Sequence, residues 1–321
     1  MVVALAGSTT TATSAAEERC AGEPATIVGT EDDDRLRGTA EPDVILARGG
    51  DDRVSGLGGD DRICAGDGED VVAAGSGDDL VLGRHGRDGL AGGSGGDQLF
   101  GGDEPDDLWG TDGDDDLRGG AGPNLLEGGS GDDRLLGSSV RDPGPPAKKA
   151  RLDGGSGDDV IEGGPDPERL VGSSDADTIG GGGGADALEG GDGSDVLEGG
   201  RDADFIDAGD GADSLGGEHG EDVLIAGAGK DRLGGDRAGD GGAGADFLSG
   251  GPDADALDGG AGDDELAGDE GDDQLDGLDG ADLLRGEAGD DSLDGGRQSD
   301  ECSGGDGIDT ASDCERIDTV P

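Results

Sequence analysis

Aspartate recurs at nine-residue intervals along most of this chain. From Gly259 to Asp294 the sequence reads GGAGDDELA, GDEGDDQLD, GLDGADLLR, GEAGDDSLD, with Gly first, Gly fourth, Asp sixth and Leu eighth. Glycine permits positive φ and so lets backbone carbonyls converge on one point. A carboxylate a few residues further on adds a second hard oxygen donor, and the two together suit a cation such as calcium. The register extends through 29 units. Aspartate holds the sixth position in 27 of them, with Asn124 and Glu168 the exceptions, and Val, Ile or Leu holds the eighth in 27, with Cys302 and Ala311 the exceptions. Acidic low-complexity sequence would not keep two residue types in phase over that length, so the repeat is structural.

The elements that must position these aspartates are short. Glycine at two or three places weakens helix and strand alike, so the first six residues of a unit read as a turn. The last three alternate out, in, out, and only the eighth side chain points inward. One apolar residue per unit cannot close a core, but stacked coils can. The expected fold is all-β, a parallel β-roll solenoid with two repeats per coil and two parallel sheets back to back. Twelve units run over 29–136 and nine over 154–234, and eight more run over 241–312. Between them lie a Pro-rich inserted loop at 137–153, after which Leu152 recovers the eighth position, and an irregular strandless turn at 235–240. These two breaks are the expected weak points of the rod. Residues 17–28 form an N-terminal cap and 313–321 a C-terminal tail.

Composition excludes an ordinary core. The 321 residues include 77 glycines, three phenylalanines, one tryptophan and no tyrosine, with 81 acidic against 22 basic residues and a net charge of −59. Such a chain is disordered unless its charge is neutralised. The sign of the field argues against a nucleic-acid partner. Stacking sets like charges ~4.8 Å apart, the strand spacing. At an effective dielectric of ~20 each such pair repels by roughly 3 kcal/mol. A cation must therefore lie between the turns, and carboxylates with carbonyls on a flexible glycine turn favour calcium over magnesium.

The units GGSGDDVIE (154–162), GGDGSDVLE (190–198) and GGAGDDELA (259–267) match the pattern GGxGxDxUx nearly position for position. Over residues 29–312 the chain resembles RTX, or haemolysin-type, calcium-binding repeat proteins. The resemblance implies a right-handed roll with Ca2+ between successive turns on each edge, held by sixth-position aspartates and turn carbonyls. In the first block these are Asp52, Asp61, Asp70, Asp79, Asp88, Asp97, Asp106, Asp115 and Asp133. The second block supplies Asp159, Asp177, Asp186, Asp195, Asp204, Asp213, Asp222 and Asp231, and the third Asp246, Asp255, Asp264, Asp273, Asp282, Asp291, Asp300 and Asp309. Asn124 lacks the charge and Glu168 is longer. Asp34 and Asp43 stand apart because their turns lack the expected glycines.

Residues 1–16 read as the back half of a secretory signal peptide, which places the protein outside the cell. The four cysteines then favour disulfides. The repeats put the chain ends far apart, so the expected pairs are Cys20–Cys64 and Cys302–Cys314. No apolar run is long enough for a transmembrane helix. Other constellations fail. Ser94 sits in a GxSxG match without a strand–elbow–helix context. Asp112, Asp114 and Asp116 imitate an EF-hand start, but Leu117 and Pro123 stand where its glycine and glutamate belong. His85 and His219 occupy outward third positions. Trp109 and Phe100 could form a surface patch. With repeats from residue 29 onward, no catalytic domain is expected. The function read from the sequence is a secreted calcium-binding repeat protein that is not an enzyme. The alternatives are a calcium-dependent adhesin or spacer of the cell surface or matrix, and the repeat remnant of a secreted enzyme.

Overall fold

The computed structural model describes residues 18–138, 149–236 and 244–318. The leader 1–16, most of the inserted loop, residues 237–240 of the strandless turn and the end of the tail lie outside the described residues. The chain winds as a parallel β-solenoid with no helix among the described residues. Successive strands go alternately to two sheets of 16 strands each. The first sheet runs from Ile27–Val28 to Thr310–Ser312, and the second from Arg35–Arg37 to Arg316–Asp318. Equivalent residues two units apart pair in parallel, as Val72, Leu90 and Leu108 do in the second sheet. Two nonapeptides thus make one coil.

The eighth-position side chains form the seam between the sheets. Ile45, Ile63, Leu90, Leu99, Leu108 and their equivalents are fully buried, and the strands alternate buried with half-exposed residues. Neither break interrupts the seam. Leu126 pairs with Leu152 and Leu135 with Ile161 across the inserted loop. Leu224 pairs with Leu248 and Leu233 with Leu257 across the strandless turn. Extra residues that leave at a turn cost little as long as the strands on either side keep their register.

The strands are longer than the glycine pattern suggests. Leu80–His85, Gly89–Ser94 and Gln98–Asp103 each hold six residues, so the first three positions of a unit continue the strand instead of opening the turn. The second position has positive φ there, as in Gly93 (124°) and Gly102 (128°). Most neighbouring coils have the same kink at the same place, Ser138, Gly164 and Asp236 being exceptions, so the strands stay paired across it. Where the sequence abandons glycine, Arg48, Leu57, Arg84 and Thr111 adopt the same left-handed conformation, with φ of 88°, 85°, 90° and 99°.

Both ends are fastened. An antiparallel pair, Arg19–Cys20 with Glu23–Pro24, caps the first coils and is bonded to them by the Cys20–Cys64 disulfide. Cys302–Cys314 closes the other end. Trp109 and Phe100 do not share a patch. Adjacent units feed opposite sheets, so Trp109 lies in the second sheet over Gly89, and Phe100 in the first, with Arg118 5.3 Å from its ring centroid.

Candidate metal centre

Stacked turns place the sixth-position residues in two files, one on each edge. The first edge carries Asp34, Asp52, Asp70, Asp88, Asp106, Asn124, Ala150, Glu168, Asp186, Asp204, Asp222, Asp246, Asp264, Asp282 and Asp300. The second carries Asp43, Asp61, Asp79, Asp97, Asp115, Asp133, Asp159, Asp177, Asp195, Asp213, Asp231, Asp255, Asp273, Asp291 and Asp309. Along both files the backbone N–H of one aspartate donates to Oδ1 of the aspartate one coil on, for example Asp88 to Asp106 at 2.9 Å and Asp195 to Asp213 at 2.8 Å, and Asp106 donates likewise to Asn124 Oδ1 at 2.9 Å. The file crosses both breaks: Asp133 donates to Asp159 at 2.7 Å and Asp222 to Asp246 at 2.8 Å. The first edge ends where Asp300 donates to Glu315 at 2.7 Å.

Oδ1 is therefore used up, and Oδ2 is left over. In every candidate aspartate except the half-exposed Asp309, Oδ2 is buried and has no hydrogen-bond partner. A buried acceptor left unsatisfied costs about 1–3 kcal/mol, and more when charged. The first-position glycine faces this oxygen. A β-carbon built on Gly101 would lie 2.2 Å from Asp106 Oδ2 and 2.6 Å from the Gly119 carbonyl oxygen. The same construction at Gly56 meets Asp61 Oδ2 at 2.2 Å and the Ala74 carbonyl at 2.5 Å, and Gly286 repeats it with Asp291 and Gly304. At the glycine-first rungs a carboxylate oxygen and a backbone carbonyl thus converge on a small space, whereas Ala47, Ala65, Ala74, Ala208 and Ala226 carry a methyl at the same position in the rungs of Asp52, Asp70, Asp79, Asp213 and Asp231, whose Oδ2 atoms are equally unpartnered. Hard anionic oxygens without donors fit a hard cation. Among the described residues no three acidic, His or Cys side chains meet at one point; the oxygen set is one carboxylate per turn plus the backbone.

The electrostatics agree. Burial, chiefly, and then neighbouring carboxylates raise Asp88 and Asp204 from 3.8 to about 8, against the lowering effect of a backbone N–H. The same causes lift Asp79, Asp133, Asp159 and Asp264 to about 7, and Asp70, Asp195 and Asp282 to about 6. Without a cation these groups resist ionisation in place.

Five rungs are built differently, and at one of them the unpartnered Nδ2 of Asn124 stands where Oδ2 stands elsewhere. Asp34 Oδ2 accepts from the Thr30 N–H (2.6 Å) and hydroxyl (2.9 Å), and Asp43 Oδ2 from the Thr39 N–H (2.7 Å) and hydroxyl (3.0 Å). Threonine there supplies the donors that the other Oδ2 atoms lack. Glu168 Oε2 accepts from the Gly164 N–H at 3.0 Å. Ala150 has no donor atom at all. In sequence Asn124, Ala150 and Glu168 are far apart, but in the fold they are consecutive rungs of the first edge, so that file has one gap. Lys149 lies over it, its Nζ 3.4 Å from the Ala185 carbonyl, and its charge lowers the affinity of Glu168 and Asp186 for protons against a larger effect of burial.

The remaining candidates are not drawn together. His85 Nδ1 pairs with Asp103 Oδ2 at 2.8 Å on an exposed strand end of the first sheet. Ser94 ends a strand of the second sheet, in register with Ser76 and Asp112.

A parallel β-solenoid whose edges carry files of buried, unpartnered carboxylate oxygens beside backbone carbonyls is a cation-binding repeat protein. The family model "RTX calcium-binding nonapeptide repeat" matches it at 28–63, 65–99, 109–142, 151–179, 162–197, 180–215, 189–224, 198–233, 217–240, 240–275 and 276–311. The chain belongs to that family, and its many repeats are motifs for multiple Ca2+ ions. No curated protein matches the chain.

Proposed function

We propose that this is a secreted protein whose acidic solenoid folds when Ca2+ enters the rungs of both edges. The ligands are the Oδ2 atoms of Asp52 through Asp309 at the sixth positions named above, with turn carbonyls such as those of Gly119 and Ala74. The observation that carries this reading is the file of buried, unpartnered Oδ2 atoms on each edge. Bound Ca2+ supplies positive charge between carboxylates that otherwise repel. The chain's own part is to hold one oxygen in the N–H ladder and present the other. No site exists until two coils stack, so binding and folding are one event. The two disulfides fit an oxidising exterior, where calcium near ~1 mM suits modules of this affinity. Sixteen strands at ~4.8 Å give a rod of about 70 Å, a dimension that suits a spacer.

Circular dichroism with and without chelator tests the reading. Cooperative gain of β-structure on adding calcium is expected, and identical β-content under both conditions would overturn it.

A further inference from the structure

The strandless turn after Gly235 does more than interrupt the repeat. In regular rungs the second-position residue lies in the left-handed region, as Glu218 (φ 77°) and Gly260 (95°) do on either side of this turn. Asp236 occupies the same position but ends its strand outside that region, and its side chain is buried to 5% exposure. Oδ2 accepts from the Gly244 N–H. Oδ1 is buried and has no partner. Asp236 is therefore a second unmatched carboxylate at a rung that already has one.

Its neighbours are the rung's own oxygens. The Asp236 N–H donates to the Gly259 carbonyl at 3.3 Å. A β-carbon on the adjacent Gly235 would meet that carbonyl oxygen at 2.4 Å and Asp246 Oδ2 at 2.4 Å. Asp246 in turn holds the Asp222 N–H. Burial first, and then the charge of Asp236, raise Asp222 to about 6, and Asp236 also contributes to Asp246, at about 7.

We propose that Asp236 is an additional calcium ligand, making the rung of Asp246 and the Gly259 carbonyl a more highly charged and tighter site than the regular ones. This rests on the calcium reading of the ladder given above. Affinity in oxygen-ligated sites rises with the number of charged ligands, and differences between related sites appear mainly as slower dissociation. Outside the left-handed region the second position thus carries a buried carboxylate, where Glu218 one coil earlier is half-exposed.

The test is exchange of radiolabelled calcium against excess unlabelled calcium, so that the protein stays loaded and folded throughout. One ion per chain should leave about tenfold more slowly than the rest. Asp236→Asn, which keeps an acceptor for Gly244, should abolish the slow phase, and Asp258→Asn, at an exposed neighbour, should leave it intact. Asp195→Asn, on the opposite edge, should remove one ion from the fast phase only. A single exchange class that Asp236→Asn does not alter would overturn the proposal. Unchanged total label in Asp195→Asn and Asp236→Asn alike would instead sink the ladder reading itself.

Discussion

Gly101 and Gly180 separate the demands of the rung from those of the backbone. Neither lies in the left-handed region, so alanine is conformationally permitted at both. At Gly180 a β-carbon meets nothing within 4 Å. Gly180→Ala should stabilise the protein by about 0.4–1 kcal/mol, because it only restricts the unfolded chain. At Gly101 the new methyl would sit 2.2 Å from Asp106 Oδ2 and 2.6 Å from the Gly119 carbonyl, in the space assigned to an ion. Losing one ion at a calcium concentration of 100 Kd removes about 2.7 kcal/mol of linked stability. The two glycine-to-alanine changes are thus expected to have opposite signs. Thermal or urea unfolding at fixed free calcium measures the stabilities, and metal analysis of dialysed protein counts the ions. Gly101→Ala should lack one ion and melt lower. A full complement of ions with an unshifted melting temperature would show that this rung accommodates a methyl as those of Ala47, Ala65, Ala74, Ala208 and Ala226 do, and would refute the placing of an ion in the space beside Gly101.

Three further outcomes follow from the same geometry. The carboxylates raised to about 6–8 bind protons in the metal-free fold that the unfolded chain has lost. Their contribution to metal-free stability is present in acid and disappears as pH rises through 6–8, whereas the calcium form loses stability as pH falls and protons displace the ion; pH titrations by circular dichroism should slope in opposite directions, and parallel curves would count against the assignment. Thr39→Val removes the hydroxyl from Asp43 Oδ2 and should cost about 1.5 kcal/mol without changing the number of ions, measured by unfolding and metal analysis. Reducing Cys20–Cys64, which spans 44 residues, should cost about 4 kcal/mol, and Cys302–Cys314, spanning 12, about 3 kcal/mol, by loop-closure entropy; single Cys→Ser pairs compared by thermal melting would show the larger loss at the N-terminal end.

Much of this was legible in the sequence because period, seam and ligand file are one pattern. Fixing the eighth position as the inward one also fixes the sixth at the edge. The disulfide pairs followed from the distance between the rod's ends. What stayed hidden involves residues brought together across coils. Asn124 and Glu168 read as two isolated exceptions, and Ala150 belonged to an inserted loop. Their stacking as one gap depends on how the insertion is looped out, which spacing alone does not state. Trp109 and Phe100 are one unit apart in sequence and on opposite sheets in space. The strand content of the first three positions was missed because glycine normally weakens a strand, whereas here identical kinks stack. The inward turn of Asp236 is a backbone change with no signature in residue type.

The gap on the first edge bears on how the rod comes apart. In a one-dimensional stack each coil is secured only by its neighbours, so loss at one end can travel. On the calcium reading, an advancing front would empty rung after rung as each ion leaves with the coil that shared it. At Asn124, Ala150 and Glu168 there is no aspartate to be emptied: an unpartnered amide, a methyl and a glutamate held by the Gly164 N–H stand there, with Lys149 beside them. That stretch acts as a firebreak. It divides the first edge into two independently drainable columns while the second edge runs uninterrupted from Asp61 to Asp291. Partial depletion from one end would therefore halt on the first edge near the middle of the rod while the second edge drains past it, so the two edges would empty out of step.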